Sequence, residues 1–265
     1  MPKSEETMRP IQDIPVEVCQ RIQTVFSDID DTMTTEGQLP AAAYDAIWRA
    51  QSAGIAVIPV TGRPAGWCDH IARVWPVAAV VGENGALCFA MRDGAIERIY
   101  ADRPPGADER LEAIKVQVLE EVPGCKVAAD QAYREYDLAI DFCEEVPALD
   151  DAAIDRIEAI FVEHGATAKV SSIHVNGWYG DFDKLSMCKR AHQELFSRPL
   201  DPDAATFLGD SPNDVPMFRY FPHAIGVANV ERLRGRMAAL PAYVCDFEGG
   251  EGFAQAIETL LERRG

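Results

Sequence analysis

Residues 24–32 read Thr24-Val25-Phe26-Ser27-Asp28-Ile29-Asp30-Asp31-Thr32, a short apolar run that leads into a cluster of carboxyl groups. A short apolar run with polar neighbours is typical of a buried strand. In an extended segment, residues two positions apart point the same way, so the side chains of Asp28 and Asp30 can converge on one site.

The chemistry of two neighbouring carboxylates limits what such a site can do. When both are ionised they repel each other, which a divalent metal relieves for one of them and a raised pKa for the other. One ionised nucleophile beside one acid/base suits covalent phosphoryl transfer. A strand-to-loop turn, in which Asp and Thr side chains cap backbone amides, is the alternative that stays open at this point.

Outward from this segment, apolar runs alternate with helical patterns on both sides of the chain's middle. Strands that alternate with helices imply a parallel sheet with helices on both faces, so the predicted fold class is α/β with a doubly wound parallel sheet. The predicted strands cover residues 24–26, 55–60, 78–81, 205–208, 224–227 and 243–245, and the predicted helices cover 40–53, 64–74, 184–196 and 253–263.

The middle of the chain has a different pattern. Apolar residues recur at helical spacing in 107–122 and again around 154–161, whereas 135–142 alternates between apolar and polar residues. That alternation is typical of a half-exposed antiparallel strand, and a weakly patterned strand is predicted for 168–175. We therefore predict an α+β insertion, the cap, at residues 86–180, between core segments 1–85 and 181–265.

Composition excludes several classes of function. The chain has 265 residues and a formal net charge of −18, which disfavours nucleic acid and anionic membranes as partners. No apolar run approaches the roughly 18 residues of a membrane span, and the polar N-terminus has no signal-peptide pattern. Seven scattered cysteines without a C-x-x-C pair predict a reducing, cytoplasmic location. Neither a monomer nor a homodimer is favoured.

Two further polar clusters follow predicted strands or open predicted helices, and ligands of open parallel sheets bind beyond the carboxyl ends of the strands. Thr61-Gly62-Arg63 offers a hydroxyl and backbone amides at a helix start, which suits a bound phosphate. An ordinary N-cap at Thr61 is the alternative. Lys184 opens a helix, where the dipole disfavours a positive charge, so a paired, functional lysine is favoured over a surface one.

The last cluster is Gly209-Asp210-Ser211-Pro212-Asn213-Asp214, directly after a predicted strand. Carboxylates at a strand end are good ligands for a hard cation, and Mg²⁺ usually takes one or two of them from a protein. The alternative is a turn in which Asn213 or Asp214 caps the next helix.

The order of these clusters resembles the four motifs of the haloacid dehalogenase (HAD) superfamily. Asp-x-Asp-Asp-Thr is followed by Thr-Gly-Arg, then Lys, then Gly-Asp-x-x-Asn-Asp, and the resemblance spans most of the chain. The long interval between Thr61 and Lys184 resembles the type IIB group, which has a large cap after the third strand and includes sugar phosphatases and phosphomannomutases. Val81-Gly82-Glu83-Asn84-Gly85-Ala86 is similar to that group's turn into the cap.

The resemblance implies a role for each motif residue. Asp28 would attack phosphorus, and Asp30 would protonate the leaving alkoxide and later activate water. Thr61 and Lys184 would hold phosphate oxygens, with Lys184 neutralising charge in the transition state. Gly62, Arg63 and Asn84 would also contact phosphate or substrate.

The resemblance also implies a cofactor, Mg²⁺. The ion would be held by Asp28, the backbone carbonyl of Asp30, and Asp210, with Asp214 just behind them or holding a water ligand. Asn213 would orient Lys184 or the phosphate. The chain departs from the family at Asp31, where glycine is commoner, and we expect this side chain to point away from the metal.

Specificity is expected to come from the cap. Alternation along residues 172–176 places His174 and Asn176 on the face opposite Ile173 and Val175. With Trp178 they would face the active site and suit a polyhydroxylated sugar, unless they are simply half-buried cap residues. Glu135 and Asp137, on the exposed face of a neighbouring strand, would bind hydroxyls or be solvated.

We therefore predict a Mg²⁺-dependent phosphomonoester hydrolase for a small sugar phosphate or phosphorylated sugar acid. A phosphomutase of the phosphomannomutase type uses the same core residues and stays open. A response-regulator receiver fits the motif order poorly, and a dinucleotide-binding oxidoreductase would need a G-x-G-x-x-G after the first strand. A non-catalytic phospho-ligand binding module would need a lost motif, and none is missing.

Overall fold

A computed structural model describes residues 7–171 and 173–265. The strands are β1 (Arg9–Pro10), β2 (Thr24–Ser27), β3 (Ala56–Pro59), β4 (Val80–Gly82), β5 (Leu87–Arg92), β6 (Ala95–Tyr100), β7 (Lys126–Val127), β8 (Leu138–Asp141), β9 (Thr167–Val170), β10 (His174–Trp178), β11 (Ala205–Gly209), β12 (Ile225–Gly226) and β13 (Tyr243–Val244). The α-helices are α1 (Val16–Arg21), α2 (Ala41–Ser52), α3 (Ala65–Val74), α4 (Ala107–Glu121), α5 (Asp151–Glu163), α6 (Lys184–Phe196), α7 (Val215–Tyr220), α8 (Val230–Leu233) and α9 (Gly249–Arg264). Short 3-10 helices cover Ile11–Asp13, Glu83–Gly85, Gln131–Tyr133, Pro212–Asp214 and Arg234–Arg236. No helix in these ranges is both long and apolar enough to cross a membrane.

The centre of the molecule is a parallel sheet with the strand order β1-β13-β12-β11-β2-β3. Successive residues of β2 point to opposite faces: Val25 belongs to an apolar cluster with α1, α2 and α9, and Phe26 to a cluster with α6 and α7. Both faces of the sheet are therefore covered by helices. The predicted α/β fold with a doubly wound parallel sheet is confirmed.

The register of the central strands places the polar motifs side by side. Ser27 at the end of β2 lies opposite Leu208 of β11, and the amide of Asp28 donates to the Leu208 carbonyl oxygen at 2.9 Å. On the other side, Ser27 lies opposite Pro59 of β3. Residues just beyond all three strands consequently meet at one edge of the sheet.

The hairpin β5–β6 packs with the core. β4 touches the core sheet through a parallel bridge between Val60 and Val81, and it pairs antiparallel with β5. Leu87 and Phe89 of β5 join one core cluster, and Cys88 joins the other. The predicted cap boundary at residue 86 stays a prediction, and this packing favours a boundary after β6.

The cap is an antiparallel sheet, β7-β8-β10-β9, whose apolar side chains pack with α4 and α5. The single strand predicted over 168–175 is wrong, because the chain turns back between β9 and β10. Ser171 makes this turn: its amide and Oγ both donate to the His174 carbonyl oxygen. Ser172, predicted as part of that strand, lies outside the described residues. β8 is also shorter than predicted, since residues 135–137 turn their amides toward the core.

Candidate active site

A cavity of about 800 Å³ lies between the cap and the carboxyl ends of the core strands. Its core wall includes Asp28, Asp30, Asp31, Gly62, Arg63, Asn84, Asp210 and Asn213, and its cap wall includes Phe142, His174 and Asn176. Every predicted motif except Lys184 thus contributes at least one residue to the cavity wall. Thr61, Lys184 and Asp214 do not line the cavity, and all three are buried.

Asp28 and Lys184 form a buried ion pair beneath the cavity. Lys184 Nζ lies 2.7 Å from Asp28 Oδ1 and 3.4 Å from Asp214 Oδ1. The lysine is the first residue of α6, which begins with a capping box between Asp183 and Ser186. Burial alone would lower the pKa of Lys184, but the two carboxylates raise it above its ordinary value. The lysine is therefore charged at neutral pH.

Three buried carboxylates converge at this point. One oxygen each of Asp28, Asp210 and Asp214 lies within 4.8 Å of the others. Burial, together with the neighbouring Asp214, raises the pKa of Asp28 to about 7 although Lys184 opposes the rise. Burial and the charges of Asp214 and Asp28 raise the pKa of Asp210 to about 9. A single lysine does not balance this much negative charge.

The donor set fits a hard divalent cation. Oxygen atoms from carboxylates are the ligands that Mg²⁺ prefers, and a bound cation favours the ionised form of acids whose pKa is raised by burial. Asp214 is already occupied: Oδ2 accepts from the amides of Asp210 and Ser211 at 3.1 and 3.4 Å, and Oδ1 faces Lys184. Asp28 and Asp210 are the side chains best placed to act as ligands.

Glycine at the end of β11 makes this packing possible. A Cβ on Gly209 would collide with the Asp214 carboxylate and with the ring of Phe207. Thr32 Oγ1 donates to Asp210 Oδ1 at 3.2 Å and holds that carboxylate from the β2 side. The two strand ends are thereby tied together at the acidic cluster.

Asp30 forms its ion pair with Arg63, whereas Lys184 pairs with Asp28 and Asp214. Arg63 Nη2 lies 2.9 Å from Asp30 Oδ1, and Nε donates to both carboxylate oxygens at 3.2 and 3.1 Å. Arg63 Nη1 donates to Glu144 of the cap at 3.1 Å. Burial would lower the pKa of Arg63, but its bonds to these two acids raise it. The guanidinium group is thus engaged with acids on both sides of the cavity.

The Thr-Gly-Arg turn is shaped by its own hydrogen bonds. Thr61 Oγ1 accepts from the amide of Arg63 at 3.0 Å, and the backbone of Gly62 packs against the side chain of Asn84. Asn84 has a left-handed φ of 57°, which asparagine tolerates well. Its Nδ2 is buried and has no hydrogen-bond partner among the described residues, so it can donate to a ligand.

Asp31 and Asn213 both line the cavity. Asp31 has a φ of 59°, a left-handed conformation that glycine adopts freely, which explains why glycine is commoner there. It lines the cavity, and its charge contributes to the raised pKa of Asp210, so the expectation that it points away from the metal ligands is not supported. Asn213 Oδ1 accepts from Ser211 Oγ at 2.6 Å, and Lys184 is not its partner.

The structure separates the predicted cap residues into two groups. His174 and Asn176 are buried and line the cavity, whereas Trp178 stacks on Phe182 with ring centroids 5.6 Å apart and does not line it. Asn176 Nδ2 donates to Asp137 Oδ2 at 2.9 Å. Burial and nearby arginines lower the pKa of His174, although Glu144 opposes the shift, so the ring is neutral at pH 7.

The expectation of an exposed Asp137 is wrong. Its side chain is buried and accepts from Arg134 Nη1 at 2.9 Å as well as from Asn176. Residues 135–137 do not continue β8, and the backbone there turns Asp137 inward to the buried Arg134. Glu135 is exposed as expected, although it lies in a turn.

Residues 25–138 match the model of the haloacid dehalogenase-like hydrolase family. This matched stretch is haloacid dehalogenase-like, and it contains the Asp28 and Thr61 motifs. The predicted resemblance to this superfamily is confirmed, and the match also bears out the prediction of an enzyme. No curated protein matches the sequence.

Several solved structures share the fold over almost their whole length. A Thermoplasma acidophilum protein has a TM-score of 0.70 at 20% identity, over 91% of this chain and 98% of that one. A haloacid dehalogenase-like hydrolase from Bacteroides thetaiotaomicron has a TM-score of 0.66 at 13% identity, over 89% and 98%. A sugar phosphatase of HAD subclass IIB has a TM-score of 0.63 at 14% identity, over 89% and 98%.

Sequence reasoning assigned no role to three residues of this site. Arg134 is buried between Asp130 and Asp137 and donates to the carbonyl oxygen of Gly62 at 2.9 Å. Glu83 is buried in the turn before the cap, and Glu144 reaches the core from a cap loop. No periodicity marks any of the three, and each is identified only by its contacts in the fold.

Proposed function

We propose that this HAD-like chain is a Mg²⁺-dependent phosphomonoester hydrolase that forms an aspartyl-phosphate on Asp28. The observation that carries the proposal is the buried Asp28 carboxylate, which lies 2.7 Å from Lys184 Nζ and within 4.8 Å of two other acids. A nucleophile of this kind needs one positive group to orient it and a second to offset the charge of a phosphate ester. Asp30 lies on the same cavity wall, ready for proton transfer.

Asp28, the backbone carbonyl of Asp30, and Asp210 would hold the Mg²⁺ ion, with Asp214 behind them. When bound, the ion supplies positive charge that lets the ester approach an acidic cavity. Asp214 fixes Lys184 and the loop after β11 through the hydrogen bonds described above.

The reaction divides into two phosphoryl transfers, and all bonds are accounted for by residues of this chain and water. Asp28 Oδ would form a bond to phosphorus while the bond from phosphorus to the leaving oxygen breaks, and Asp30 would deliver a proton to that oxygen. Water then gives a proton to Asp30 and attacks phosphorus, and the acyl-phosphate bond breaks to release phosphate. Lys184 and Asn84 stabilise the phosphoryl oxygens during both steps.

A sugar phosphate or phosphorylated sugar acid is the substrate class that the cavity wall supports best. His174, Asn176 and Asn84 offer neutral hydrogen-bonding groups around a cavity of about 800 Å³. Such groups bind hydroxyls without requiring charge on the leaving group. Structural neighbours described as a sugar phosphatase and as a trehalose-6-phosphate phosphatase-related protein are consistent with this class.

A reducing, cytoplasmic location and a small-molecule partner complete the proposal. Six cysteines are buried free thiols, which is the arrangement expected in a reducing compartment: Cys19, Cys68, Cys88, Cys125, Cys188 and Cys245. The net charge of −18 supports a small ester over nucleic acid as the partner.

The test is phosphate release from a panel of sugar phosphates with and without Mg²⁺, for the wild type, Asp28→Asn and the exposed control Asp45→Asn. We expect metal-dependent turnover that falls by at least about a thousandfold in Asp28→Asn and is unchanged in Asp45→Asn. Phosphate that stays on the protein after an acid quench and is released by hydroxylamine would identify the aspartyl-phosphate intermediate. Transfer of phosphate between sugar positions without release would indicate a mutase, and full activity of Asp28→Asn would refute the proposal.

A further inference from the structure

Arg63 connects the proposed acid/base of the core to the cap. Its guanidinium group bonds Asp30 at 2.9 Å through Nη2 and Glu144 at 3.1 Å through Nη1, and Asp130 lies 3.8 Å from Nη1. The arginine side chain is only 10% exposed, whereas Asp30 and Glu144 are 30% and 33% exposed. The two acids are thus joined by a group that is itself largely shielded from water.

The plane of the guanidinium group is fixed by the core. The amide of Arg63 donates to Thr61 Oγ1, and its guanidinium carbon lies 4.7 Å above the ring of Trp67. An arginine fork that contacts both oxygens of a carboxylate fixes the carboxylate's orientation, which a single point charge does not do. Asp30 therefore has its rotamer set by Arg63.

The cap end of this link is fixed by backbone hydrogen bonds. The buried Asp141 carboxylate accepts from the amides of Cys143, Glu144 and Glu145 at 2.9, 2.7 and 2.8 Å. This turn presents the Glu144 side chain to Arg63, and its other oxygen lies 2.8 Å from His174 Nε2. The chain of contacts runs from Asp30 in the core to a histidine on the cap wall of the cavity.

We propose that Arg63 is a positioning residue for Asp30, and that Glu144 of the cap holds Arg63 in place. The proposal rests on the proposed function, in which Asp30 passes a proton to the leaving oxygen. A carboxyl group must lie within hydrogen-bond reach of that oxygen to do so. Because Glu144 belongs to the cap, the orientation of Asp30 depends on the seating of the cap, and leaving-group protonation is complete only when the cap is in place.

Two other roles for Arg63 make different predictions. A residue that binds phosphate would affect every phosphate ester alike. An ion pair that merely fastens the cap would change stability and KM, also without regard to the leaving group. A positioning residue for the acid matters most when the leaving group needs a proton.

The experiment compares kcat/KM for two esters, since this ratio reports the steps up to departure of the leaving group. One ester is p-nitrophenyl phosphate, whose aryl oxide leaves without a proton, and the other is the sugar phosphate that the wild type hydrolyses fastest. The variants are Arg63→Met, Arg63→Lys and Glu144→Gln. Arg73→Met, from an exposed pair on α3, and Glu145→Gln, the neighbouring acid, are the matched controls.

We expect Arg63→Met to lower kcat/KM about a hundredfold for the sugar phosphate but less than about tenfold for p-nitrophenyl phosphate. It should also accumulate phosphorylated enzyme with the aryl ester, because Asp30 activates water in the second step. Arg63→Lys keeps the charge but not the fork, and should show the same selectivity more weakly. Lysine at this position also serves should the methionine variant fold poorly.

Glu144→Gln should give a smaller loss with the same leaving-group selectivity, and should add little to Arg63→Met because both act through one contact. Equal losses for both esters in folded Arg63 variants would overturn the positioning role, and additive losses would overturn the link to the cap. Failure of the proposed function is separate: it would appear as phosphorylated enzyme formed by Asp28→Asn, whatever the Arg63 variants do.

Discussion

Glu83 is predicted to be the residue on which the seating of the cap depends most strongly. Its carboxylate is buried in the core, where Oε1 accepts from the amides of Ala65 and Glu135 at 2.8 and 2.9 Å. Oε2 accepts from the amides of Tyr136 and Asp137 at 2.7 and 3.2 Å. One core side chain thus satisfies three consecutive amides of the cap segment.

The expected loss follows from these four bonds. In Glu83→Gln the remaining side-chain oxygen can still accept hydrogen bonds from two of the amides. The other two amides face the new NH₂ group and lose their acceptor. Hydrogen bonds to a charged group contribute about 1.5–3 kcal/mol each, and removal of a buried charge offsets part of the loss. We expect the free energy of unfolding to fall by about 2–4 kcal/mol in Glu83→Gln and by more in Glu83→Ala, which leaves all four amides unpaired.

The assay is urea unfolding followed by circular dichroism, with Glu120→Gln on the exposed face of α4 as the matched control. The control should lie within about 0.5 kcal/mol of the wild type. Activity on sugar phosphates should fall along with stability in Glu83→Gln, because Asp137 and Asn176 are positioned by the same segment. A Glu83→Gln variant as stable as the control would refute the reasoning.

Three further outcomes are expected. Burial raises the pKa of Asp28 to about 7 and of Asp210 to about 9, from 3.8. The metal-free folded state therefore keeps protons that the unfolded chain releases, so its free energy of unfolding falls as pH rises from about 4 to 9. Thermal melts should show more stabilisation by Mg²⁺ at pH 8 than at pH 5. Equal stabilisation at both pH values would count against a cation among these acids. Burial and Asp30 likewise raise the pKa of Asp31, so Asp31→Asn, which tolerates the same φ, should stabilise the metal-free protein at pH 8 and lose that advantage below pH 4, as melts across pH would show. Gly85 has a φ of 102°, and a Cβ there would collide with the backbone of Asp183 at the start of α6. Gly85→Ala should lower the free energy of unfolding in urea by at least about 3 kcal/mol and displace Lys184. A Gly85→Ala variant with normal activity would contradict this.

The core could be predicted from sequence because its signals are local. Each buried strand is a short apolar run. Each helix that follows is marked by the spacing of its apolar residues and by the residues that begin and end it. The order of strands then brings Asp28 and Asp210 to one edge, since β2 and β11 are neighbours in the sheet. Lys184 was also predictable, because its unfavourable place at a helix start required a partner.

The cap was harder because its decisive contacts join distant residues. The turn between β9 and β10 has no glycine or proline and depends on the Ser171 side chain, so residues 168–175 were predicted as one weakly patterned strand. Asp137 looks solvent-exposed by alternation, yet Arg134 neutralises it in the interior. Alternation along β10 places Trp178 on the same face as His174 and Asn176, but its ring stacks on Phe182 and does not line the cavity. No local pattern encodes such pairings.

The bonds between Glu83 and the cap segment also limit how enzymes of this architecture could be recombined. A cap taken from a relative and grafted onto this core would need three consecutive free amides at the position of residues 135–137. Without them the buried Glu83 carboxylate would lose three of its four hydrogen-bond donors. It would need an arginine for the Gly62 carbonyl oxygen and an acid for Arg63 as well. A chimera should therefore be cut so that Glu83 and residues 130–145 come from the same parent. New specificity would then be introduced farther out, on the β9–β10 hairpin.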